Sequence, residues 1–123
     1  MILGPFLLIF SRFLKYKKSE EVETRLAFTI ITHDQLGTFE ILLHAIFRPY
    51  NQYCIYIGAN TAEEYRKSVQ KMINCYNSLY PDANIFLAEN TKAVKWADWS
   101  VIEADLICME QLLKSESQYV SCQ

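Results

Sequence analysis

LAFTIITHDQLGTFEILLHAIFRPYNQYCIYIGAN, residues 26–60, reads as strand, helix, strand. Leu26 to Thr32 is an unbroken run of apolar and β-branched residues without Gly or Pro, as expected of a strand covered on both faces. The polar break His33-Asp34-Gln35-Leu36-Gly37 follows at once. Phe39, Leu42, Leu43 and Ile46 then recur at helical spacing. Arg48-Pro49 ends that helix, because proline disfavours helical geometry in the residue before it. A second apolar run, Tyr53 to Ile57, stops at Gly58. Two buried strands joined by one helix make a βαβ unit, with parallel pairing and a right-handed crossover.

Towards the carboxyl terminus the rhythm continues. Thr61-Ala62-Glu63-Glu64 fits a capping box, and Tyr65, Val69, Met72, Ile73 and Tyr76 line one face of a helix expected to run to about Leu79. Ile85 to Ala88 is a third short apolar run, and Glu89 to Lys95 a polar loop. Ser100-Val101-Ile102-Glu103 fits a second capping box. It opens a helix whose apolar side carries Ile102, Leu106, Met109 and Leu113, and Gln118 to Cys122 begins another strand. Alternating strands and helices predict an α/β fold: an open, mostly parallel sheet with flanking helices. In such sheets ligands gather beyond the carboxyl ends of the strands, which here places any site at Thr32-His33-Asp34, Gly58-Ala59-Asn60 and Glu89 to Trp99.

Towards the amino terminus the pattern weakens. Met1 to Leu14 is mostly apolar but interrupted by Gly4, Pro5, Ser11 and Arg12, so it falls short of the roughly 20 apolar residues of a membrane span. No basic residues precede the run and no small-residue cleavage site follows it, so a signal peptide does not fit. It reads either as an anchor remnant or frayed end, or as a packed terminal helix. Lys15 to Arg25, KYKKSEEVETR, reads as a linker or solvated helix. The expected division is residues 1–25 as apolar segment and linker, and 26–123 as a partial domain.

A chain of 123 residues suits one core but is short for a nucleotide enzyme. Net charge of -2 argues against a phosphate-tracking surface, and no nucleic-acid partner is expected. No Gly-x-Gly-x-x-Gly follows the first strand, which removes a dinucleotide-dependent dehydrogenase; Walker-type phosphate loops are also absent from the sequence. No Cys-x-x-Cys or Cys/His spacing suggests zinc. Cys54 lies in a strand and Cys108 on a helix that could pack over it, a placement compatible with a disulfide or with two buried thiols.

Several separated blocks together resemble one family. They are Thr32-His33-Asp34, Leu42-Leu43-His44-Ala45-Ile46, Pro49-Tyr50-Asn51-Gln52-Tyr53-Cys54, Gly58, Trp96-Ala97-Asp98-Trp99-Ser100 and Ala104-Asp105-Leu106-Ile107-Cys108-Met109. The chain from Leu26 to Cys122 resembles the amino-terminal half of the catalytic domain of the core-2/I-branching β-1,6-N-acetylglucosaminyltransferases. The resemblance implies a Rossmann-like half of a GT-A-type fold and transfer of N-acetylglucosamine from UDP-N-acetylglucosamine to O-glycan or polylactosamine acceptors. That transfer would proceed with inversion and without a metal or other cofactor. It places the UDP-sugar contacts at Thr32, His33, Asp34, Gly58, Ala59, Asn60 and Trp96, and assigns no catalytic residue, since the family's general base and diphosphate-binding side chains would lie beyond Gln123. It also implies a Cys54–Cys108 disulfide, an unpaired Cys75, an amino-terminal anchor and a lumenal position on the Golgi membrane.

Two positions depart from the family pattern. The family's aspartate after the second strand is Gly58, which removes a hydrogen-bond acceptor, and its tyrosine is Trp96, which keeps stacking area but loses the hydroxyl. Restoring the carboxylate by Gly58→Asp is therefore expected to tighten nucleotide binding. Trp96 and Trp99 bracket a possible aromatic platform, with Trp99 the better candidate for core filling. Read from the residues alone, His33 fits a turn residue as well as a ligand contact, and Asp34 a helix cap as well as an acid. His44, Tyr53 and Tyr56 read as surface or packing. The alternative function is a non-catalytic α/β module that binds a nucleotide or a protein.

Overall fold

The computed structural model describes the backbone of residues 8–18 and 21–121 and the side chains of residues 26–115. Along it run β1 (Leu8–Lys18), β2 (Glu21–Thr32), α1 (Leu36–Ile46), β3 (Gln52–Ile57), α2 (Glu63–Leu79), β4 (Asn84–Leu87) and α3 (Trp99–Ser121). The strands form one sheet in the order β1-β2-β3-β4. β2, β3 and β4 are parallel, with Thr29 opposite Cys54 and Cys54 opposite Phe86, and β1 is antiparallel to β2. The predicted α/β sheet and its flanking helices are therefore present.

Strand alternation sorts the core into two layers. On one face Phe28, Ile30, Tyr53, Ile55, Ile57 and Ile85 meet Phe39 and Leu43 of α1 and Val69 and Ile73 of α2. On the other, Ala27, Ile31, Cys54 and Tyr56 meet Ala104, Cys108 and Leu112 of α3. Each large aliphatic side chain sealed in this way contributes about 1.5–3 kcal/mol. β3 is buried along its whole length, which explains the lack of polar alternation between Tyr53 and Ile57.

Cys54 and Cys108 are joined by a disulfide across β3 and α3, with Cα atoms 5.7 Å apart. Beside it the Thr29 hydroxyl donates to Asp105 Oδ1 at 2.6 Å, so the Asp105 carboxylate, buried between α3 and the sheet, is hydrogen-bonded to β2. Cys75 is unpaired and exposed, as the resemblance implied. Cys122 lies outside the described residues.

Several expectations are corrected. Leu8–Leu14 is strand rather than terminal helix, and Lys15–Lys18 and Glu21–Arg25, read as linker or solvated helix, continue β1 and open β2. An apolar strand such as β2 would otherwise offer an open row of backbone donors and acceptors, and the ladder from Leu8↔Ile31 to Lys18↔Glu21 closes that edge. Residues 1–7 of the apolar segment lie outside the described residues.

Gln118–Ser121 belongs to α3 and not to a further strand, since neither Gly nor Pro interrupts the helix after Ser115. The face of α3 against the sheet is Ala104, Asp105, Cys108 and Leu112. Ile102, Leu106 and Leu113, predicted to pack, are 50%, 50% and 61% exposed. Both stripes have helical spacing, and the small side chains of Ala104 and Cys108 let the helix sit close enough for the disulfide.

Neither capping box forms as predicted. α2 begins with Ala62 at the cap position and no side-chain cap. The Ser100 hydroxyl instead accepts from Lys95 N–H at 2.8 Å and donates to Lys95 O at 3.1 Å. Asp34 does not cap α1 either: the cap position is Gln35, at φ 62°, again without a side-chain bond.

Candidate functional site at the carboxyl edge of the parallel strands

The parallel register sets the shape of the rim. Thr32 lies opposite Ile57, so β2 and β3 end level, while β4 ends at Leu87 opposite Ile55. One further bond, from Ala88 N–H to Ile55 O at 2.8 Å, carries the chain of β4 up to the rim before it turns into the loop towards α3. All the residues proposed from sequence therefore come to one edge of the sheet, but they are not equivalent there.

Thr32 is 2% exposed, and its hydroxyl shares a 2.6 Å hydrogen bond with the Tyr65 hydroxyl on the α1/α2 face. Burial raises the Tyr65 pKa above its ordinary value, and the Asp34 carboxylate adds to the rise, while the bond to Thr32 opposes it. Tyr65 is thus held as a neutral phenol. His33 and Asp34 follow on the surface, with Nδ1 3.5 Å from Oδ2 and side chains 39% and 51% exposed.

The second and third loops are joined directly. Ala59 N–H donates to Lys92 O at 3.1 Å. The Asn60 side chain donates from Nδ2 to Val94 O at 3.2 Å and accepts from Val94 N–H at Oδ1 at 3.1 Å. The Tyr56 hydroxyl accepts from Lys92 N–H at 2.7 Å and donates to Lys92 O at 3.3 Å. Lys92 Nζ also pairs with Glu103 of α3 at 3.0 Å. Trp96 then packs against the α3-side core, whereas Trp99 is 63% exposed, which reverses the expected roles of the two indoles. Thr32 and Trp96 accordingly share the rim but belong to opposite faces of the sheet.

Sequence reasoning missed the residues that build this edge. The apolar run around Tyr56 predicts packing, yet its hydroxyl organises the loop. Helical spacing places Tyr65 in an apolar stripe, yet its hydroxyl engages Thr32. Arg66, given no role, donates from Nη2 to both Ile57 O and Gly58 O at 3.1 Å, placing a permanent positive charge at the end of β3. The available signal is a polar tip on each of these side chains at the strand-end level of the pattern; which atoms they meet depends on segments 8 to 36 residues away.

A separate cleft of about 360 Å³ lies against the outer strand, lined by Asn84, Phe86, Leu87, Glu89, Gln111, Lys114 and Ser115. None of the predicted contact residues lines it. The rim is nevertheless the better site candidate, because strand ends and helix starts present convergent polar backbone there.

Fold and rim together define an α/β domain whose loops gather at the carboxyl edge of a parallel sheet. Residues 26–120 match the family model described as Core-2/I-Branching enzyme, and the chain belongs to that family. The chain is 35% identical over 105 residues to a Homo sapiens β-1,3-galactosyl-O-glycosyl-glycoprotein β-1,6-N-acetylglucosaminyltransferase 3, covering 85% of this chain and 23% of the relative. It is 33% identical to the Bovine herpesvirus 4 β-1,3-galactosyl-O-glycosyl-glycoprotein β-1,6-N-acetylglucosaminyltransferase and to the type 3 enzyme of Bos taurus. Those matches cover 85% of this chain and 23% and 22% of the relatives. The chain therefore spans about a quarter of the length of these relatives.

Proposed function

We propose that this chain forms the donor-nucleotide half of an inverting, metal-independent β-1,6-N-acetylglucosaminyltransferase, the donor being UDP-N-acetylglucosamine and the acceptor an O-glycan or polylactosamine chain. The observation that carries this reading is the rim itself: Thr32-His33-Asp34, Gly58-Ala59-Asn60 and the loop to Trp96 meet at the carboxyl edge of parallel strands, in a chain of this family. Within the reading, His33 and Asp34 offer accessible polar groups to ribose and base, Ala59 leaves its surface open to the ligand, and Trp96 offers an aromatic edge to the uracil. Thr32 and Gly58 shape the floor. No residue of this chain is assigned a catalytic role, and no cofactor is invoked. A Golgi membrane location, lumenal side, follows from the same reading; among the described residues no helix is long and apolar enough to cross a membrane.

A second reading, a non-catalytic α/β module that binds a nucleotide or a protein, is favoured by the cleft along β4, which is lined by none of the predicted contact residues. Titration of the full chain with UDP and UDP-N-acetylglucosamine separates the two. The donor reading expects saturable binding of both, weakened by about 1–3 kcal/mol in Trp96→Ala as base stacking is lost. Absence of binding, or binding indifferent to Trp96→Ala, supports the second reading.

A further inference from the structure

We propose that Gly58, Asn60 and Val94 form a latch that fixes the loop leading to Trp96, with Asn60 a positioning residue rather than a contact of the donor. The proposal rests on the donor-half reading and changes what one of its residues does. Both polar atoms of the Asn60 amide are spent on the backbone of one residue, Val94, at 3.2 and 3.1 Å. This reproduces with a side chain the paired exchange of an antiparallel ladder, and the donor and acceptor of Val94 fix which way the amide points. Val94 is 8% exposed while Asn60 is exposed, so the backbone half of the pair is sheltered and the amide half faces solvent.

The latch requires the glycine. A Cβ at position 58 would lie 2.7 Å from Asn60 Oδ1, 3.1 Å from Val94 Cγ2 and 3.3 Å from Val94 N. The atom it meets first is the one that receives the Val94 N–H. A side chain at 58 therefore opens the latch before it can offer anything to a ligand. Gly58 and Asn60 operate as a pair: the missing Cβ makes the room in which the amide closes.

Neighbouring bonds show why this matters for Trp96. Lys92 is held by Tyr56 and Ala59, and Lys95 by Ser100, so the latch completes a run of backbone anchors that ends one residue before the indole. An anchored loop is already in its binding geometry, and ligand affinity is lowered by the fraction of time it is not. Gly58→Asp, expected from the family pattern to tighten nucleotide binding, is expected here to weaken it.

A double-mutant cycle on the full chain tests the latch with two readouts, hydrogen exchange at the Val94 amide and UDP affinity. Asn60→Ala is expected to speed Val94 exchange and to weaken UDP binding, each about tenfold, with exchange at the core amide of Ile55 unchanged. Gly58→Ala is expected to do the same in the Asn60 protein and to have a much smaller effect in the Asn60→Ala protein, where only its contacts with Val94 remain. Equal effects of Gly58→Ala in both backgrounds, or Val94 exchange unaffected by Asn60→Ala, overturn the latch. A changed Val94 exchange with unchanged UDP affinity overturns its positioning role. If the unsubstituted protein binds no UDP, the donor reading fails, and the exchange cycle by itself upholds or overturns the latch.

Discussion

Single hydroxyls decide much of the local structure of this protein. Tyr53 stacks on Phe28 with ring centroids 5.2 Å apart and on Phe47 at 5.5 Å, as an apolar strand residue should. Its hydroxyl accepts from Arg48 N–H at 2.7 Å and donates to Ile46 O at 2.9 Å, closing the end of α1. Burial, the largest influence, pushes its pKa up, so the phenol stays protonated in that role. Tyr53→Phe keeps the stacking and leaves the Arg48 N–H without its acceptor. Its expected cost is about 1–3 kcal/mol, read as a lower denaturant midpoint at unchanged slope. The packing role of Tyr53 was legible from the apolar run around it. Its capping role was not, because nothing local says which backbone a buried phenol will reach.

Elements show the same division. The strands β2 and β3 and the helices α1 and α2 were legible because periodicity and punctuation agree: β-branched runs, then helical spacing, then Pro49 or Pro81. β1 was not, since its pairing with β2 is an edge requirement of the assembled sheet and the stretch Lys15 to Arg25 carries only polarity. For α3 the sequence offers two apolar stripes, and the choice between them is made by the sheet through Cys108 and Asp105.

The disulfide ties that helix down. Its cysteines are 54 residues apart, for which the loop-closure relation gives about 4 kcal/mol of stabilisation. Reduction, or Cys54→Ala with Cys108→Ala, is expected to lower the stability by about 2–5 kcal/mol. Hydrogen exchange checks where the loss falls: amides of α3 are expected to become labile before those of α1 and α2. Uniform loss of protection across all three helices would show that the bridge does not hold α3 in particular.

Taken as a whole, the molecule is a sheet whose strand-end loops gather at one edge, as parallel-strand geometry requires. The location of that edge was readable from the order of strands and helices, and every proposed contact residue lies on it. Their individual duties were not readable. Thr32 is turned to Tyr65, Asn60 is bound to Val94, and Trp96 rather than Trp99 is the indole that packs. These depend on contacts between loops that are distant in sequence and meet only once the sheet has formed.

Chemical-shift mapping of the full chain during UDP titration probes the placement of the donor most directly. The rim site predicts perturbations concentrated at His33, Asp34, Ala59 and the indole N–H of Trp96, with little change along Asn84 to Leu87. Perturbations centred instead on Phe86, Gln111 and Ser115, at the cleft beside β4, would contradict it.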